Sequence, residues 1–380
     1  MKLFDVYPLI PVNLVKANGC RLWDEQGQEY LDLYGGHAVI SIGHSHPHYV
    51  QCITKQVEQL GFYSNSIQIP LQQALATKLA ELSCLHEYQL FLVNSGAEAN
   101  ENALKMASFV TNKSGFIAFS GSFHGRTSAA VALTDNAKLV APCNERDDFY
   151  ILPLGDLDAV EKVLRTQPIA GILIEGIQGV GGIQVPESNF LLGLQKLAKS
   201  YGAKLILDEV QSGYGRTGRF FAHQWVDGLE PDLITIAKGM GNGFPIGGLL
   251  LSSDFKASYG LLGTTFGGNH LACAAGLAVL EVLEKEQLQI RALELGTKLM
   301  SELRTIPGIT AVRGQGLMVG FDLNQDAAPI RSLLVSKHKI FTGSAAKKET
   351  IRLLPPLTVT WEELASFVSA LKDVLNSHPH

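Results

Sequence analysis

An α/β fold, with a mostly parallel sheet sandwiched by helices in a large domain and a smaller α/β domain beside it, is predicted by three features of the sequence. From about residue 58 to 253, short β-rich apolar runs alternate with helical segments, the rhythm of strands joined by crossover helices. Those runs end on loops rich in glycine and polar groups, at the strand ends where such sheets place their ligands. The chain has 380 residues, more than the ~250 to 300 at which single cores stop growing, so two units are expected.

The elements follow in order. Near the start, RLWDEQGQEYLDL has the pattern of a hairpin turning around Gly27, and residues 1–50 are expected to pack beside the smaller unit. The sheet strands are QLFLVN, GFIAFS, IAGILIEG, AKLILDEV, DLITIAKG and GGLLLSS, which assigns 51–275 to the large domain. After Leu271, ACAAGLAVLEVLEKEQL to about Arg304 reads as one long helix, small at first and then amphipathic. The segments GITAVRGQGLMVGFDL and KKETIRLLPPLTVT, with a final helix from Trp361, complete a small domain over 276–380.

Composition excludes several classes. A charged fraction of 18% against 46% hydrophobic, with net charge −5, describes an ordinary globular chain with no basic block for nucleic acid. Charges or glycines break each apolar stretch before the ~18 residues of a membrane span. ANGC at residues 17–20 resembles a lipoprotein cleavage site, but Asp5, Pro8, Pro11, Asn13 and Lys16 interrupt the apolar region it needs. A cytoplasmic location is expected. The five cysteines are odd in number and scattered, without a CxxC pair, which argues for reduced thiols.

The chemistry is concentrated at strand ends. Lys238 closes the apolar run LITIA. It is either a charge reaching for water or an amine whose pKa is lowered by desolvation, ready to attack a carbonyl. Asp208 and Glu209 end a second strand; either is an ordinary cap or surface charge, or a buried carboxylate that keeps a pyridine nitrogen protonated. NSGAEANENALKMA leaves a third strand and opens a helix, whose free amides and partial positive charge suit a phosphate. No GK[ST] follows, so this is not a P-loop. GYGRTG at 213–218 lacks the glycine spacing of a dinucleotide loop.

Taken together, SGAEAN, SFHGRT, LDEVQSGYGRTG, TIAKGMGNGFPIGG and TTFGGNHLACAA, in this order, resemble the class III aminotransferases, enzymes of fold type I that depend on pyridoxal 5'-phosphate. The resemblance runs from YLDLYGGHAVISIGHSHP to IRLLPPLT and is greatest to the acetylornithine and succinylornithine aminotransferases. It implies that Lys238 carries the cofactor and shuttles a proton, and that Asp208 pairs with the pyridine nitrogen. Gln211 would lie near the phenolic oxygen and Phe123 would stack on the ring. Ser95, Gly96 and Ala97 would hold the phosphate, with Thr265 reaching the phosphate of the other subunit of a homodimer with shared sites. Arg126 and Arg352 would bind substrate carboxylates, and Thr264 would make a further substrate contact. The implied reaction moves the terminal amino group of an N-acylornithine to 2-oxoglutarate, in arginine metabolism. The alternatives keep the cofactor and change the donor to ornithine, 4-aminobutyrate or another ω-amino acid, or change the reaction to a racemase or decarboxylase.

Three positions depart from the family pattern. Ala97 stands where SGTEA has threonine, and His270 where GGNP has proline. EGIQGVGG replaces the common EPxQGEGG, so Val180 occupies the place of a glutamate that pairs with the arginine corresponding to Arg352. Arg352 is then expected to find another carboxylate, such as Glu175, or to stay available to a substrate with an extra carboxylate, such as N-succinylornithine. The histidines of IGHSHPHYV (His44, His46, His48) are expected to hold no metal, because no group of cysteines or carboxylates supports one and Pro47 suggests a helix start.

Overall fold

The computed structural model describes residues 1–377. Asp24 sets the first hairpin by accepting the N–H groups of Gln26 and Gln28 at 3.0 and 2.8 Å, while Gly27 takes φ +80°, a conformation that costs glycine little. Strand β1 (Leu14–Asn18) pairs with β2 (Arg21–Asp24), and β2 with β3 (Glu29–Asp32), all antiparallel. A single turn, α1 (Gly35–Ala38), leads to α2 (Pro47–Gln59) and α3 (Pro70–Ser83). Both longer helices open on proline, whose fixed φ and missing N–H suit a first turn.

The central sheet comes next. Its strands are β4 (Gln89–Val93), β5 (Gly115–Phe119), β6 (Phe149–Leu152), β7 (Ile169–Glu175), β8 (Lys204–Asp208), β9 (Leu233–Ile236) and β10 (Gly247–Leu251). They lie in the order β4-β10-β9-β8-β7-β5-β6. The pairs from β9 to β6 are parallel, and β10 runs antiparallel to both its neighbours. The intervening helices are α4 (Gly96–Thr111), α5 (Ser128–Ala132), α6 (Leu157–Thr166) and α7 (Ser188–Tyr201). Alternation along the strands sorts the two faces. Ile172, Ile174, Leu205 and Leu207 pack with Val160, Leu164, Leu191 and Leu194 of α6 and α7, whereas Leu173 and Ile206 pack with Ala103 and Ala107 of α4. Ala99, Ala103 and Ala107, small and fully buried, let α4 lie close to the sheet. Ala97 instead faces a cavity.

One expectation is corrected beyond this point. The stretch after Leu271 is two helices, α8 (His270–Lys285) and α9 (Leu288–Leu303). Gln287, with φ +51°, stands between them, and a left-handed residue cannot propagate the α-helical ladder. Asn269 caps α8 by accepting the N–H of Ala272 at 3.0 Å, so His270 serves as its first residue without proline. The chain ends with β11 (Ile309–Gln315), β12 (Met318–Leu323), α10 (Ala327–His338), β13 (Ile340–Phe341), β14 (Gly343–Ser344), β15 (Thr350–Leu353) and α11 (Trp361–Ser377). A second sheet runs β11-β12-β15-β14, and β13 pairs in parallel with β3. A continuous core links Ile234 and Ile236 through Val279 and Leu283 of α8 to Phe321 and Phe367. Among the described residues no helix is long and apolar enough to cross a membrane.

Candidate active site

The loops after β4, β5, β7, β8 and β9 meet around a cavity of about 400 Å³ lined by Ser95, Gly96, Ala97, Phe123, Arg126, Glu175, Asp208, Gln211 and Lys238. Its position follows from the parallel strands, whose carboxyl ends open on one side of the sheet.

Lys238 sits two residues past β9. Ala237 is extended (φ −168°, ψ −144°) and Lys238 itself has φ +45°, a region that non-glycine residues rarely enter. The turn is held by the Lys238 carbonyl, which accepts the N–H of Gly241 at 3.0 Å. Burial holds the amine below the ordinary lysine range; Asp208 and Glu175 oppose this and Arg352 reinforces it. The outcome is an amine more readily neutral, as a carbonyl-attacking group must be. It has a measurable consequence. The unfolded chain binds more protons at this position than the native one, so stability falls as pH drops from the unfolded lysine value of ~10.4 toward the depressed native value. Lys238→Met in cofactor-free protein is therefore expected to melt no lower than wild type at about pH 7, with any advantage shrinking toward about pH 10. Thermal scans at both pH values check this, and a variant several degrees less stable at neutral pH contradicts it.

Asp208 is 4% exposed. Its Oδ2 accepts from His124 Nδ1 and Asn100 Nδ2, both at 2.8 Å, and its Oδ1 accepts the N–H of Val210 at 3.0 Å. Asn100 is oriented in turn by Thr235, whose hydroxyl donates to its Oδ1 at 2.7 Å. A buried carboxylate held by this many donors is fixed in direction. Glu175 is tied differently: Oε1 accepts the N–H of Phe123 at 3.0 Å and Oε2 that of Gly179 at 2.8 Å. It thus fastens the loop after β5 to the loop after β7. Burial pushes the Glu175 carboxyl upward, and Asp208 adds to this while His124 opposes it.

Helix α4 begins at Gly96 with its N–H groups toward the cavity wall. Ser95 caps it, its Oγ accepting the N–H of Glu98 at 3.2 Å, which leaves the first-turn amides of Gly96 and Ala97 without intrahelical partners. A side chain at Gly96 would place Cβ 2.7 Å from Val210 Cγ1, so bare backbone is required there.

Arg126 is exposed at the cavity, its guanidinium carbon 6.0 Å from the Phe123 ring centroid. Arg352, on β15, is 3% exposed. Its Nε donates to the Ser344 carbonyl at 2.5 Å, and its two terminal nitrogens face Gln211 Oε1 and the Tyr34 hydroxyl, each at 3.4 Å. Gln211 also donates to the His37 carbonyl at 3.1 Å. Of the two outcomes expected for Arg352, pairing with Glu175 is not made; the Glu175 oxygens accept the N–H groups of Phe123 and Gly179. Among the described residues Arg352 has no carboxylate within ion-pair distance.

Two predicted residues stand apart. Thr264 accepts from Asn94 Nδ2 at 3.2 Å and donates to Glu98 Oε1 at 3.3 Å, and lines a different cavity of about 740 Å³ with Asn65 and Gln72. Thr265 is exposed and borders neither cavity. Sequence reasoning missed Asn100, a polar residue in the middle of a helix facing the sheet, and gave no role to His124 within SFHGRT. The signal at Asn100 was a polar residue on the helix face it shares with Ala103, Leu104 and Ala107, and at His124 a polar residue between Phe123 and Gly125.

The absence of side chain at Gly96, the unpaired amides beyond it, the half-buried amine and the multiply held carboxylate are complementary to the phosphate, carbonyl and pyridine nitrogen of pyridoxal 5'-phosphate. With a cavity of suitable size for a cofactor ring, the residues present fit that group, and the protein is a pyridoxal-phosphate-dependent enzyme of fold type I. The family described as "Aminotransferase class-III" matches residues 5–375. The chain is 39% identical over 382 residues to acetylornithine aminotransferase 1 of Bordetella bronchiseptica, covering 97% of this chain and 96% of that one. It is 38% identical to the acetylornithine aminotransferase of Bacillus subtilis, covering 99% and 98%. Among solved structures, the ornithine aminotransferase of Toxoplasma gondii superposes with a TM-score of 0.89 at 29% identity, covering 97% of this chain and 91% of that one. This chain belongs to the class III aminotransferases.

Proposed function

We propose that this aminotransferase moves the terminal amino group of an N-acylornithine to 2-oxoglutarate, giving the semialdehyde and glutamate. The observation that carries the reading is the pairing of an exposed arginine at the cavity, Arg126, with a buried one, Arg352, that lacks a carboxylate partner. Two guanidinium groups match a dicarboxylate, each able to bind bidentately. The full-length similarity to proteins named acetylornithine aminotransferase supports the donor.

In this reading Lys238 Nζ would hold the cofactor and, as a neutral amine, would accept and return the proton of the amine-bearing carbon. The cofactor, when bound, would supply the electron sink that makes this carbon acidic. Asp208 would hold the pyridine nitrogen, Ser95, Gly96 and Ala97 the phosphate, Phe123 the ring and Gln211 the phenolic oxygen. Arg126 grips the substrate carboxylate, and Arg352 that of glutamate or 2-oxoglutarate. We assign residues 51–275 to a large domain and 276–380 to a small one, with 1–50 as an N-terminal segment packing with the small domain. Thr264 makes a further substrate contact, and Thr265 reaches the phosphate of a second copy, in a homodimer. That assembly is supported by the exposure of Thr265 and by the neighbouring aromatic pair Phe62 and Phe266, 43% and 60% exposed with ring centroids 5.4 Å apart.

Glutamate formation from 2-oxoglutarate with a panel of donors tests the reaction. An N-acylornithine is expected to give the highest kcat/KM, and a higher value with ornithine or 4-aminobutyrate overturns the donor. Arg352→Gln is expected to raise KM for 2-oxoglutarate by about 10- to 100-fold, the loss of a charged hydrogen-bond pair worth ~1.5 to 3 kcal/mol; an unchanged KM removes Arg352 from the site. Because Val180 cannot mask Arg352, the N-succinyl donor is expected to exceed the N-acetyl donor in kcat/KM, and Val180→Glu to narrow the gap. A clear preference of the wild type for the acetyl donor sinks this part.

A further inference from the structure

Outside the catalytic cavity, α2 and α8 bring three unlike donors together. His48 and Cys52 are four residues apart on α2, so their side chains share one face of the helix. Glu281 reaches them from α8. His48 Nε2 lies 2.5 Å from Glu281 Oε2 and 3.6 Å from Cys52 Sγ, and all three donor atoms lie within 4.8 Å of one another.

We propose that His48, Cys52 and Glu281 form a binding site for a divalent transition metal of the zinc type. One imidazole nitrogen, one thiolate and one carboxylate oxygen is a donor set that Zn²⁺ accepts, and three protein ligands leave a fourth position for water. The spacing fits. Zinc bonds of about 2.0 to 2.1 Å to nitrogen and about 2.3 Å to sulfur, at a tetrahedral angle, separate the two donors by roughly 3.5 Å. Oxygen and nitrogen on the same ion stand roughly 3.3 Å apart, so Glu281 must withdraw from its hydrogen bond with His48 by less than about 1 Å. Its side chain is 49% exposed and has room to do so. Loading is balanced by loss of the Cys52 thiol proton to solvent, with His48 bound through Nε2 and keeping its single proton on Nδ1.

The neighbouring acids of α8 are otherwise engaged, which leaves Glu281 with His48 as its partner. Glu284 bonds Lys78 at 2.8 Å and Glu286 bonds His46 at 2.9 Å. The ion would tie α2 to the helix that leads from the central sheet into the C-terminal sheet, and binding to the folded state alone raises its stability.

Holoenzyme treated with a chelator and then dialysed against Zn²⁺ gives the test. The expected result is one tightly held zinc per chain, a higher thermal midpoint, and at least ~100-fold weaker binding in Cys52→Ser and in His48→Ala. Replacing the exposed cysteines together, Cys84→Ser and Cys143→Ser, is expected to leave the stoichiometry unchanged. As a readout on unaltered protein, alkylation of Cys52, mapped by peptide mass, should slow by about tenfold or more when Zn²⁺ is present. Zinc binding that survives loss of Cys52 or His48, absence of binding, or equal labelling of Cys52 with and without Zn²⁺ overturns the proposal.

Discussion

Replacing Lys238 by alanine is expected to lower turnover by at least ~10⁴-fold, the upper range of what a positioned acid–base group contributes. The reason lies in three properties that it combines: its place at a parallel strand end, a backbone held at φ +45°, and an amine that burial keeps below the ordinary lysine range. Arg126 and Arg352 cannot substitute, because guanidinium groups do not lose their protons near neutral pH. Steady-state glutamate formation measures the loss. Borohydride reduction followed by peptide mass analysis measures the attachment, with cofactor mass expected on the Lys238 peptide of wild type and absent from the variant. Full activity in the variant would falsify the lysine assignment.

Asp208→Asn is the second large effect, expected to cost about 10²- to 10³-fold in kcat, as removal of a preorganised charge from a buried site does. The substitution keeps shape and changes charge. It also introduces an NH₂ among groups that already donate: His124 Nδ1, Asn100 Nδ2 and the Val210 N–H. One donor must go unpaired, at a cost of ~1 to 3 kcal/mol in stability. Measuring kcat, cofactor affinity by equilibrium dialysis and the melting temperature separates the two consequences. A kcat within tenfold of wild type would remove Asp208 from the chemistry and leave it a structural residue.

Of the six strands read from the sequence, β5, β7, β8, β9 and β10 are buried along almost their whole length, while the edge strand β4 is buried only at Leu92 and Val93; each reads as a short apolar run. Strand β6, Phe149–Leu152, was not among them. None of its four residues is buried, so it lacks the core-facing residues that mark the other strands. The break at Gln287 was equally hidden, since the apolar pattern of α8 and α9 continues across it and only the left-handed backbone at one residue interrupts the ladder. Lys238, Asp208 and the opening of α4 at Gly96 were legible for the opposite reason. Each follows directly on an apolar strand, so local pattern alone places it at the carboxyl edge of the sheet.

The partners of those residues were a different matter. That Asp208 is held by Asn100 and His124, and that Glu175 spends its oxygens on Phe123 and Gly179, depends on loops from separate strands meeting at one end. The same holds for Arg352, which faces Gln211 and Tyr34, 141 and 318 positions away, in place of the carboxylate expected for it. The histidines near the N-terminus showed no metal pattern locally, yet His48 meets Glu281 from 233 positions further along. By itself the sequence determined the sheet, its reactive edge and the amine at its centre, because strand propensity and burial are written in neighbouring residues. Only the tertiary structure decided which charge each buried group answers to, because hydrogen-bond and ion-pair partners are set by proximity in space, and a chain folded through crossovers brings together residues that no local period connects.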